Sequence, residues 1–338
     1  MDKLKLGRTV RQILVSGKGI LAADESIDTI AKRFERFHIR NVEEMREAYR
    51  EMLFTSSKFG SYISGVILFD EQLRETTSDG GLLRKVLKDQ GVLVGCKIDK
   101  GLEPMPRNKH GEVQTKGLEG LAERMQDYAD LGVTFVKWRA ALQVGKNLPS
   151  DRCIQKNADL LASYAHVAQE SGIVPIVEPE VLGNGKHSSE QCYESTLRTL
   201  KGVFEALERR KVDLRYIFLK PNMIVPGSES KEKMVVEKVA NMTVSCLKEA
   251  VPKDVPGIVF LSGGQTEKEA CANMNAIAEH ENLPWVVTYS FGRALQNSTL
   301  AKWHGRENRV AEAQKVFQKR AHLTSLAQQG KYSSKLEK

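Results

Sequence analysis

The sequence has no apolar run long enough to cross a bilayer. Its longest hydrophobic stretches fall far short of the roughly 20 residues that a transmembrane helix needs. The N-terminal segment, MDKLKLGRTVRQ, carries charged side chains and lacks the apolar core of a signal peptide. We therefore expect a cytoplasmic protein with no membrane partner and no secretory leader.

Cysteine and histidine are present, but not in the spacings that metal and disulfide sites use. The five cysteines form no CxxC motif, and the seven histidines form no HxxH or HxH motif. No P-loop appears, and no GxGxxG motif follows an apolar run. We expect reduced thiols, no metal site and no cofactor, so that any catalysis would depend on the protein's own side chains.

The positive charge is modest and dispersed. The net charge is +8 over 338 residues, with no run of five or more basic residues and no aromatic residues interleaved with them. This pattern does not favour a nucleic-acid partner. A mild positive field would nevertheless help to attract a phosphorylated metabolite.

What the sequence does contain is eight short apolar runs, each followed by a charged or small polar residue. Most segments between the runs have the three- and four-residue apolar spacing of amphipathic helices. Eight repeats of strand and helix are typical of an α/β chain that folds as a (β/α)₈ TIM barrel. The runs are GILAAD, ISGVILFD, GVLVGCK, VTFVK, GIVPIVE, YIFLK, GIVFLSGG and WVVTYS, which end at or near Asp24, Asp70, Lys97, Lys137, Glu178, Lys220, Ser262 and Ser290. The clearest helical patterns cover 43–54, 118–132, 158–172, 271–280 and 309–328.

The domain organisation follows from composition. The chain is 41% hydrophobic, enough for a sizeable core, and no Pro-, Ser- or Gly-rich linker divides it. We expect a single barrel domain over 1–328, with N- and C-terminal extensions to the barrel itself. We expect a short, polar, mobile tail over 329–338.

Three lysines end different runs, and parallel barrel strands bring such ends to one mouth. Lys220 is the strongest candidate nucleophile because it directly follows YIFL and precedes Pro221, where a buried strand stops. At an ordinary lysine pKa only about 0.04% of the side chain is neutral at pH 7. Burial, together with Lys137 and Lys97 nearby, would lower the pKa of Lys220 and make it a usable nucleophile. The alternative is a structural Lys–Glu bridge.

Carboxylates end other runs and would meet the lysines. Glu178 and Glu180 would face different neighbours, or both would rim the mouth if the strand bends at Pro179. Asp24 closes the first run and would face the same mouth. Carboxylates beside lysines can divide their work, one moving protons and one fixing a lysine. The alternative for each is an ordinary salt-bridge partner.

Two groups of residues have the character of phosphate sites. Ser262, Gly263 and Gly264 end the seventh run, and Gly292 and Arg293 follow the eighth. Loops after the seventh and eighth strands of TIM barrels frequently bind phosphate through backbone N–H groups, and an arginine adds a bidentate contact.

A second group of hydroxyl and cationic side chains follows the first run. It consists of Ser26, Thr29 and Arg33, and we expect it to hold another phosphate opposite the first.

The same segments resemble the class I, Schiff-base fructose-bisphosphate aldolases over residues 7 to 332. LKPNM, VEPE and LSGGQ occurring together are highly specific for that family. The similar stretches are GKGILAADES (17–26), GVILF (65–69), KIDKG (97–101), KWR (137–139), GIVPIVEPE (172–180), LKPNM (219–223), FLSGGQ (260–265) and SFGRALQ (290–296). The resemblance implies a metal-independent aldehyde-lyase of glycolysis and gluconeogenesis. Its reaction would be reversible cleavage of fructose 1,6-bisphosphate to dihydroxyacetone phosphate and glyceraldehyde 3-phosphate.

The resemblance also implies a role for each matched residue. Lys220 would form the iminium with the substrate ketone, Glu178 would help to dehydrate the carbinolamine, and Asp24 would take the proton from the C4 hydroxyl. Lys137 would stabilise charge, and Glu180 would position Lys137. The C1 phosphate would bind at Ser262, Gly263 and Arg293, and Ser26, Thr29, Lys97 and Arg139 would lie toward the C6 phosphate.

The sequence departs from the family pattern at two places. Family members commonly have serine where Thr29 stands, and the hydroxyl is kept. Eukaryotic members end in a tyrosine that assists proton exchange, whereas this sequence ends in KLEK; we expect another acid to act on the enamine or that step to be slow. Alternatives to the main function are sedoheptulose 1,7-bisphosphate as chief substrate and a binding or scaffold role. The resemblance further implies a homotetramer.

Overall fold

A closed ring of parallel strands organises the chain, as the eight apolar runs predict. The computed structural model describes residues 1–107 and 110–338. The strands of the described residues are β1 (Gly19–Ala22), β2 (Ile63–Leu68), β3 (Leu93–Lys97), β4 (Leu102–Pro104), β5 (Val113–Thr115), β6 (Phe135–Leu142), β7 (Val174–Val181), β8 (Phe218–Leu219), β9 (Gly257–Phe260) and β10 (Val286–Phe291). Around the ring they follow the order β1-β10-β9-β8-β7-β6-β3-β2, and each of the eight runs coincides or overlaps with one of these strands.

Helices cover the outside of the ring. The pattern over 43–54 matches a helix of the same bounds, whereas the pattern over 158–172 belongs to a helix that begins earlier, at Asp151. The described helices are α1 (Lys3–Ile13), α2 (Ile27–Glu35), α3 (Glu43–Phe54), α4 (Phe59–Tyr62), α5 (Leu83–Asp89), α6 (Leu121–Asp130), α7 (Asp151–Glu170), α8 (Ser189–Arg209), α9 (Val236–Ala250), α10 (Glu267–Ala278), α11 (Arg293–Trp303) and α12 (Val310–Gln328). Within the described ranges, no helix has the length and apolar character that a membrane span requires.

One pair of strands lies outside the barrel. β4 and β5 form a two-stranded antiparallel sheet between β3 and β6. The sequence analysis did not predict this pair, because both strands are short and half-exposed and lack an apolar run.

Apolar side chains fill the interior of the ring, and α1 closes one end of it. Residues on alternate positions of the strands point inward. Phe135 is one of two phenylalanines among them, and Gly65 and Gly95 make room for it: a Cβ at Gly95 would lie 2.2 Å from the Phe135 ring. The interior cluster contains Leu6, Val10 and Ile13 of α1 with Ile20, Ala22, Ile67, Phe135, Val174, Ile176, Phe218 and Val259 of the strands.

The last residues lie against α10 and α12. The Arg320 guanidinium of α12 binds both carboxylate oxygens of Glu337, at 2.8 and 2.9 Å. The Tyr332 hydroxyl donates to Glu337, and the Tyr332 N–H donates to Asn275 Oδ1 of α10. Both side chains of the Arg320–Glu337 pair are less than a tenth exposed. The segment predicted as a mobile tail therefore has defined contacts in this structure.

Candidate active site

Four charged side chains form a continuous ionic chain in the mouth of the barrel. Lys137 Nζ lies 2.5 Å from Asp24 Oδ2 and 3.2 Å from Glu178 Oε2. Lys220 Nζ lies 3.1 Å from the other oxygen of the same carboxylate, Glu178 Oε1. The exposed fractions of these side chains lie between 3% and 11%. The structure thus brings together four residues that the sequence analysis selected separately.

The two-residue period of the strands explains why these side chains meet. On β6, Phe135 belongs to the apolar interior and Lys137 stands two residues further toward the mouth. On β7, Glu178 stands in the same relation to Ile176. Lys220 directly follows the short strand β8. The polar layer is therefore the continuation of the inward faces that form the apolar core.

Burial and neighbouring charge shift the pKa values of this layer in different directions. Burial opposes ionisation of Asp24 and Glu178, but Lys137 and Lys220 outweigh it and hold the pKa of each carboxyl below its ordinary value. Burial also opposes the charge of Lys137, yet Asp24 and Glu178 raise the pKa of Lys137 above that of an ordinary lysine. Burial lowers the pKa of Lys220, and the positive charge of Lys137 adds to this against the pull of Glu178. The site therefore pairs a stable ammonium with a lysine displaced toward the neutral amine.

Glu178 and Glu180 both face the mouth but hold different basic partners. β7 continues through Pro179 in regular register with β6, so residues two apart share one face. Glu178 contacts Lys137, and Glu180 forms an ion pair with the Arg139 guanidinium. The expectation that Glu180 positions Lys137 is corrected: the ion-pair partner of Glu180 is Arg139, although in the strand register Glu180 lies level with Ala141 and Arg139 with Glu178.

Lys97 also faces the mouth, but a carboxylate that the sequence analysis overlooked holds it. Lys97 Nζ donates to Asp99 Oδ1 at 2.6 Å and to the Asp99 carbonyl oxygen at 3.2 Å. It also lies 5.4 Å from the centroid of the Phe69 ring. Asp99 is 5% exposed. Lys97 is therefore a positioned cation rather than a free one.

The loops after β9 and β10 have the features of an anion site. Ser262 is buried at the end of β9. An added Cβ at Gly263 would lie 3.1 Å from Glu180 Oε1, so glycine permits this close approach. Gly292 is the N-cap of α11 and Arg293 its first residue. Backbone N–H groups at a helix N-terminus lack intrahelical partners and bind anions readily.

A second helix N-terminus lies after β1. Ser26 is the N-cap of α2, and its hydroxyl lies 3.0 Å from the Thr29 hydroxyl in place of a capping bond. Arg33, which the sequence analysis grouped with these two residues, lies elsewhere: its Nη2 is 3.8 Å from the position a Cβ would take at Gly292. The physical reason is that α2 follows β1, which pairs with β10, so the long side chain of Arg33 reaches the loop after β10. This corrects its expected place.

Lys97 and Arg139 lie across the mouth from the loops after β9 and β10. Ser26 and Thr29 instead follow β1, the neighbour of β10 in the ring, which corrects the expectation that they lie opposite the first site. In the ring, β9 and β3 are separated by three strands along either arc, and so are β10 and β6. Ser262 follows β9 and lies opposite Lys97, while Arg293 follows β10 and lies opposite Arg139 on β6. Lys220 follows β8, between the two sides. Cationic side chains therefore stand on two sides of the mouth, with Lys220 between them.

Sequence reasoning missed the carboxylates that support the cations. Glu25 binds Arg33, and Asp99 binds Lys97. Asp99 could have been identified from the sequence, because it lies two residues after Lys97. Glu25 precedes α2, so helix spacing does not connect it with Arg33.

Across residues 1–107 and 110–338, no three His, Cys, Asp or Glu side chains are grouped in a way that suits a metal ion.

Comparison with known proteins decides the family. The family model described as "Fructose-bisphosphate aldolase class-I" matches residues 5–338. The chain belongs to the class I fructose-bisphosphate aldolases. Members of this family cleave fructose 1,6-bisphosphate reversibly, without a metal and through a lysine Schiff base, in glycolysis, and the chain is accordingly an aldolase, a lyase that acts on a phosphorylated sugar.

Individual relatives agree along nearly the whole chain. A "Probable fructose-bisphosphate aldolase class 1" of Xanthomonas campestris pv. campestris is 46% identical over 97% of this chain and 98% of its own length. "Fructose-bisphosphate aldolase 4, cytosolic" of Arabidopsis thaliana is 49% identical over 94% of this chain and 80% of its own. A structure of the Plasmodium falciparum aldolase, in complex with TRAP and a small-molecule inhibitor, covers 98% of this chain and 96% of its own at 43% identity, with a TM-score of 0.96. The predicted family, activity and barrel fold are confirmed.

Proposed function

We propose that Lys220 is the lysine that forms the Schiff base. Three observations support this assignment. Lys220 is 3% exposed, its pKa is lowered by burial and by Lys137, and it directly follows β8 beside a carboxylate. Lys220 first gives one proton to Glu178 and attacks C2 of the substrate as the neutral amine, and Glu178 passes that proton to the carbonyl oxygen, which becomes a hydroxyl.

Glu178 moves the proton that this step releases. Its carboxylate is ionised before substrate binds and lies 3.1 Å from Lys220 Nζ. It takes the proton that the attacking nitrogen loses and returns it to the C2 hydroxyl, which leaves as water. The product is an iminium, whose positive charge can accept the electrons of the next bond to break.

Asp24 is the base for carbon–carbon cleavage. It is ionised, and Lys137 holds it at 2.5 Å. Asp24 removes the C4 hydroxyl proton, the C3–C4 electrons pass to the iminium, and glyceraldehyde 3-phosphate leaves as the aldehyde. Lys137 stabilises the developing charge. The enamine that remains gains a proton at C3, and hydrolysis releases dihydroxyacetone phosphate and restores the amine of Lys220.

The two phosphates bind on opposite sides of this chemistry. One side offers the loops after β9 and β10, with Arg33 beside them, for the C1 phosphate. The other side offers two cations held by carboxylates for the C6 phosphate, and the hydroxyls of α2, which follow β1 on the arc between β10 and β3, would add to them. The first group is Ser262, Gly263, Gly292, Arg293 and Arg33, and the second is Ser26, Thr29, Lys97 and Arg139.

We propose in addition a homotetramer located in the cytoplasm. Both rest on the family: class I aldolases are typically tetrameric, and relatives from Arabidopsis thaliana and Spinacia oleracea carry the words cytosolic and cytoplasmic in their names. Native mass spectrometry of the full chain tests the assembly.

The activity test is a pair of matched lysine variants. Lys220→Met removes the nucleophile, whereas Lys201→Met removes a lysine from the exposed face of α8. Cleavage of fructose 1,6-bisphosphate is expected to fall by about 10⁴-fold or more in Lys220→Met and to remain unchanged in Lys201→Met. A folded Lys220→Met protein that retained activity would refute the assignment.

A further inference from the structure

A buried ion pair fixes one of the candidate phosphate-binding arginines. Glu25 is 8% exposed as a residue, and its carboxylate accepts a hydrogen bond from Arg33 Nη1. The two side chains are 6% and 16% exposed. Glu25 lies at the exit of β1 and Arg33 on α2, so this contact joins the end of a barrel strand to the helix that follows it.

The ion pair with Glu25 determines where the second terminal nitrogen of the Arg33 guanidinium lies. While Nη1 is engaged by Glu25, Nη2 of the same guanidinium lies 3.8 Å from the position a Cβ would take at Gly292. Gly292 is the N-cap of α11, and Arg293 follows it. Arg33 therefore presents its second nitrogen beside the backbone N–H groups that are proposed to bind the C1 phosphate.

This arrangement opposes repulsion between neighbouring arginines. The pKa of Arg293 is lowered first by burial and then by the positive charge of Arg33, with Arg36 and Arg139 adding to it and Glu180 acting in the opposite direction. Guanidinium groups held together without an anion repel each other, and more strongly away from water. A carboxylate on Arg33 offsets part of that repulsion before substrate arrives.

The neighbouring residues give Glu25 this role rather than a catalytic one. Asp24 points into the mouth toward Lys137, whereas Glu25, the next residue along an extended segment, points the other way. Gln72 donates to the Glu25 carbonyl oxygen at 3.5 Å, and the backbone is held there. Glu25 thus contacts Arg33 and faces away from the reacting atoms.

We propose that Glu25 is a positioning residue for substrate binding, which holds the Arg33 guanidinium against the Gly292–Arg293 loop so that the C1 phosphate meets a preformed cationic site. The proposal deepens the phosphate assignment made above and rests on it. Because Glu25 acts through Arg33, it affects binding of the phosphate and not the proton transfers at Lys220.

The test compares Glu25→Gln, Glu25→Asp and a control, Glu35→Gln, which removes the same charge from an exposed position of α2, the helix that carries Arg33. In Glu25→Gln the KM for fructose 1,6-bisphosphate is expected to rise about tenfold, the loss of one charged hydrogen bond, with kcat little changed. Glu25→Asp keeps the charge but shortens the reach, so an intermediate KM is expected. Glu35→Gln should behave as the unmodified chain.

Product inhibition identifies which phosphate is affected. Dihydroxyacetone phosphate carries the phosphate of C1, and glyceraldehyde 3-phosphate carries that of C6. The inhibition constant of dihydroxyacetone phosphate should rise with KM in Glu25→Gln, while that of glyceraldehyde 3-phosphate stays constant. Equal changes in both constants, or a change for glyceraldehyde 3-phosphate alone, would overturn the proposal.

A double-mutant cycle separates positioning from a purely structural effect. Arg33→Ala should raise KM, and Glu25→Gln should add nothing to it in the doubly substituted protein, because its partner is already absent. Additive effects on KM, a fall in kcat equal to the rise in KM, or no effect of Arg33→Ala would each overturn the proposal. These readouts are independent of the Lys220 test, since KM is measured whichever lysine forms the Schiff base.

Discussion

Lys137 and Lys220 bind different oxygens of one carboxylate, that of Glu178, at 3.2 and 3.1 Å. Their pKa values nevertheless move in opposite directions. The difference arises because Lys137 has a second carboxylate, Asp24, at 2.5 Å, whereas Lys220 has Lys137 as a cationic neighbour. Lys137 is thereby kept as an ammonium that stabilises two carboxylates. Lys220 is shifted toward the neutral amine that attacks a ketone.

The first prediction concerns the pH dependence of iminium formation. A lowered pKa means that Lys220 loses its proton at a lower pH than an ordinary lysine, so the rate should rise with pH and level off below the usual lysine range. Lys137→Met removes a cation and leaves two carboxylates near Lys220, which raises the pKa of Lys220 and moves the profile to higher pH. Lys137→Arg should largely restore it.

Single-turnover rates of iminium formation across pH measure this effect. Lys201→Met, on the exposed face of α8, is the matched control and should keep the original profile. A profile that stays in place or moves to lower pH in Lys137→Met would show that Lys137 does not set the protonation of Lys220.

The second prediction concerns Glu178 as the proton carrier. Glu178→Gln retains the shape of the side chain but cannot take up and return a proton. The rate of iminium formation should fall by about 10²–10⁴-fold, the usual contribution of a positioned acid or base. Rapid quench with borohydride measures the rate of iminium formation. Glu205→Gln, on the exposed face of α8, is the control and should keep the original rate. An unchanged rate would assign the proton transfer to another group.

The third prediction separates Asp24 from Glu178. Asp24→Asn should still form the iminium but should fail to break the C3–C4 bond. Borohydride would therefore trap the intact six-carbon bisphosphate on Lys220, and net cleavage should fall by about 10²–10⁴-fold. Asp127→Asn, at an exposed position of α6, should cleave normally. Accumulation of a three-carbon adduct instead in Asp24→Asn would contradict a role for Asp24 in carbon–carbon cleavage.

The fourth prediction concerns the C-terminal segment. Glu337→Gln leaves Arg320 without its charged partner and should lower the free energy of unfolding by about 2 kcal/mol. The pKa of Glu337 is held below its ordinary value of 4.5, by Arg320 and the Tyr332 hydroxyl acting against burial. The contribution is therefore present above that value and is lost as pH falls through the folded pKa.

Denaturant unfolding at neutral and at acid pH measures this contribution, with Glu281→Gln as an exposed control. The difference between Glu337→Gln and the unmodified chain should shrink in acid. No difference at neutral pH would mean that the segment is mobile in solution, as its composition suggests.

The barrel was predictable because each of its strands is an apolar run buried on both faces, which leaves a clear signal in the sequence. The β4–β5 pair and the closure of one barrel end by α1 left no comparable signal. The residues of the ionic chain were identified because each ends a run. Their partners were harder to find: that Glu180 binds Arg139, and that Arg33 reaches Gly292, depends on stagger between strands and on which way a helix face turns. Sequence spacing does not encode those relationships.

The most direct test of Lys220 as the Schiff-base lysine is chemical trapping on the protein itself. The full chain is mixed with dihydroxyacetone phosphate, reduced with borohydride, and mapped by peptide mass spectrometry. We predict a three-carbon phosphate adduct on Lys220 and on no other lysine of the mouth. An adduct on Lys137 or Lys97, or a folded protein with no adduct at all, would contradict the assignment of Lys220 as the Schiff-base lysine.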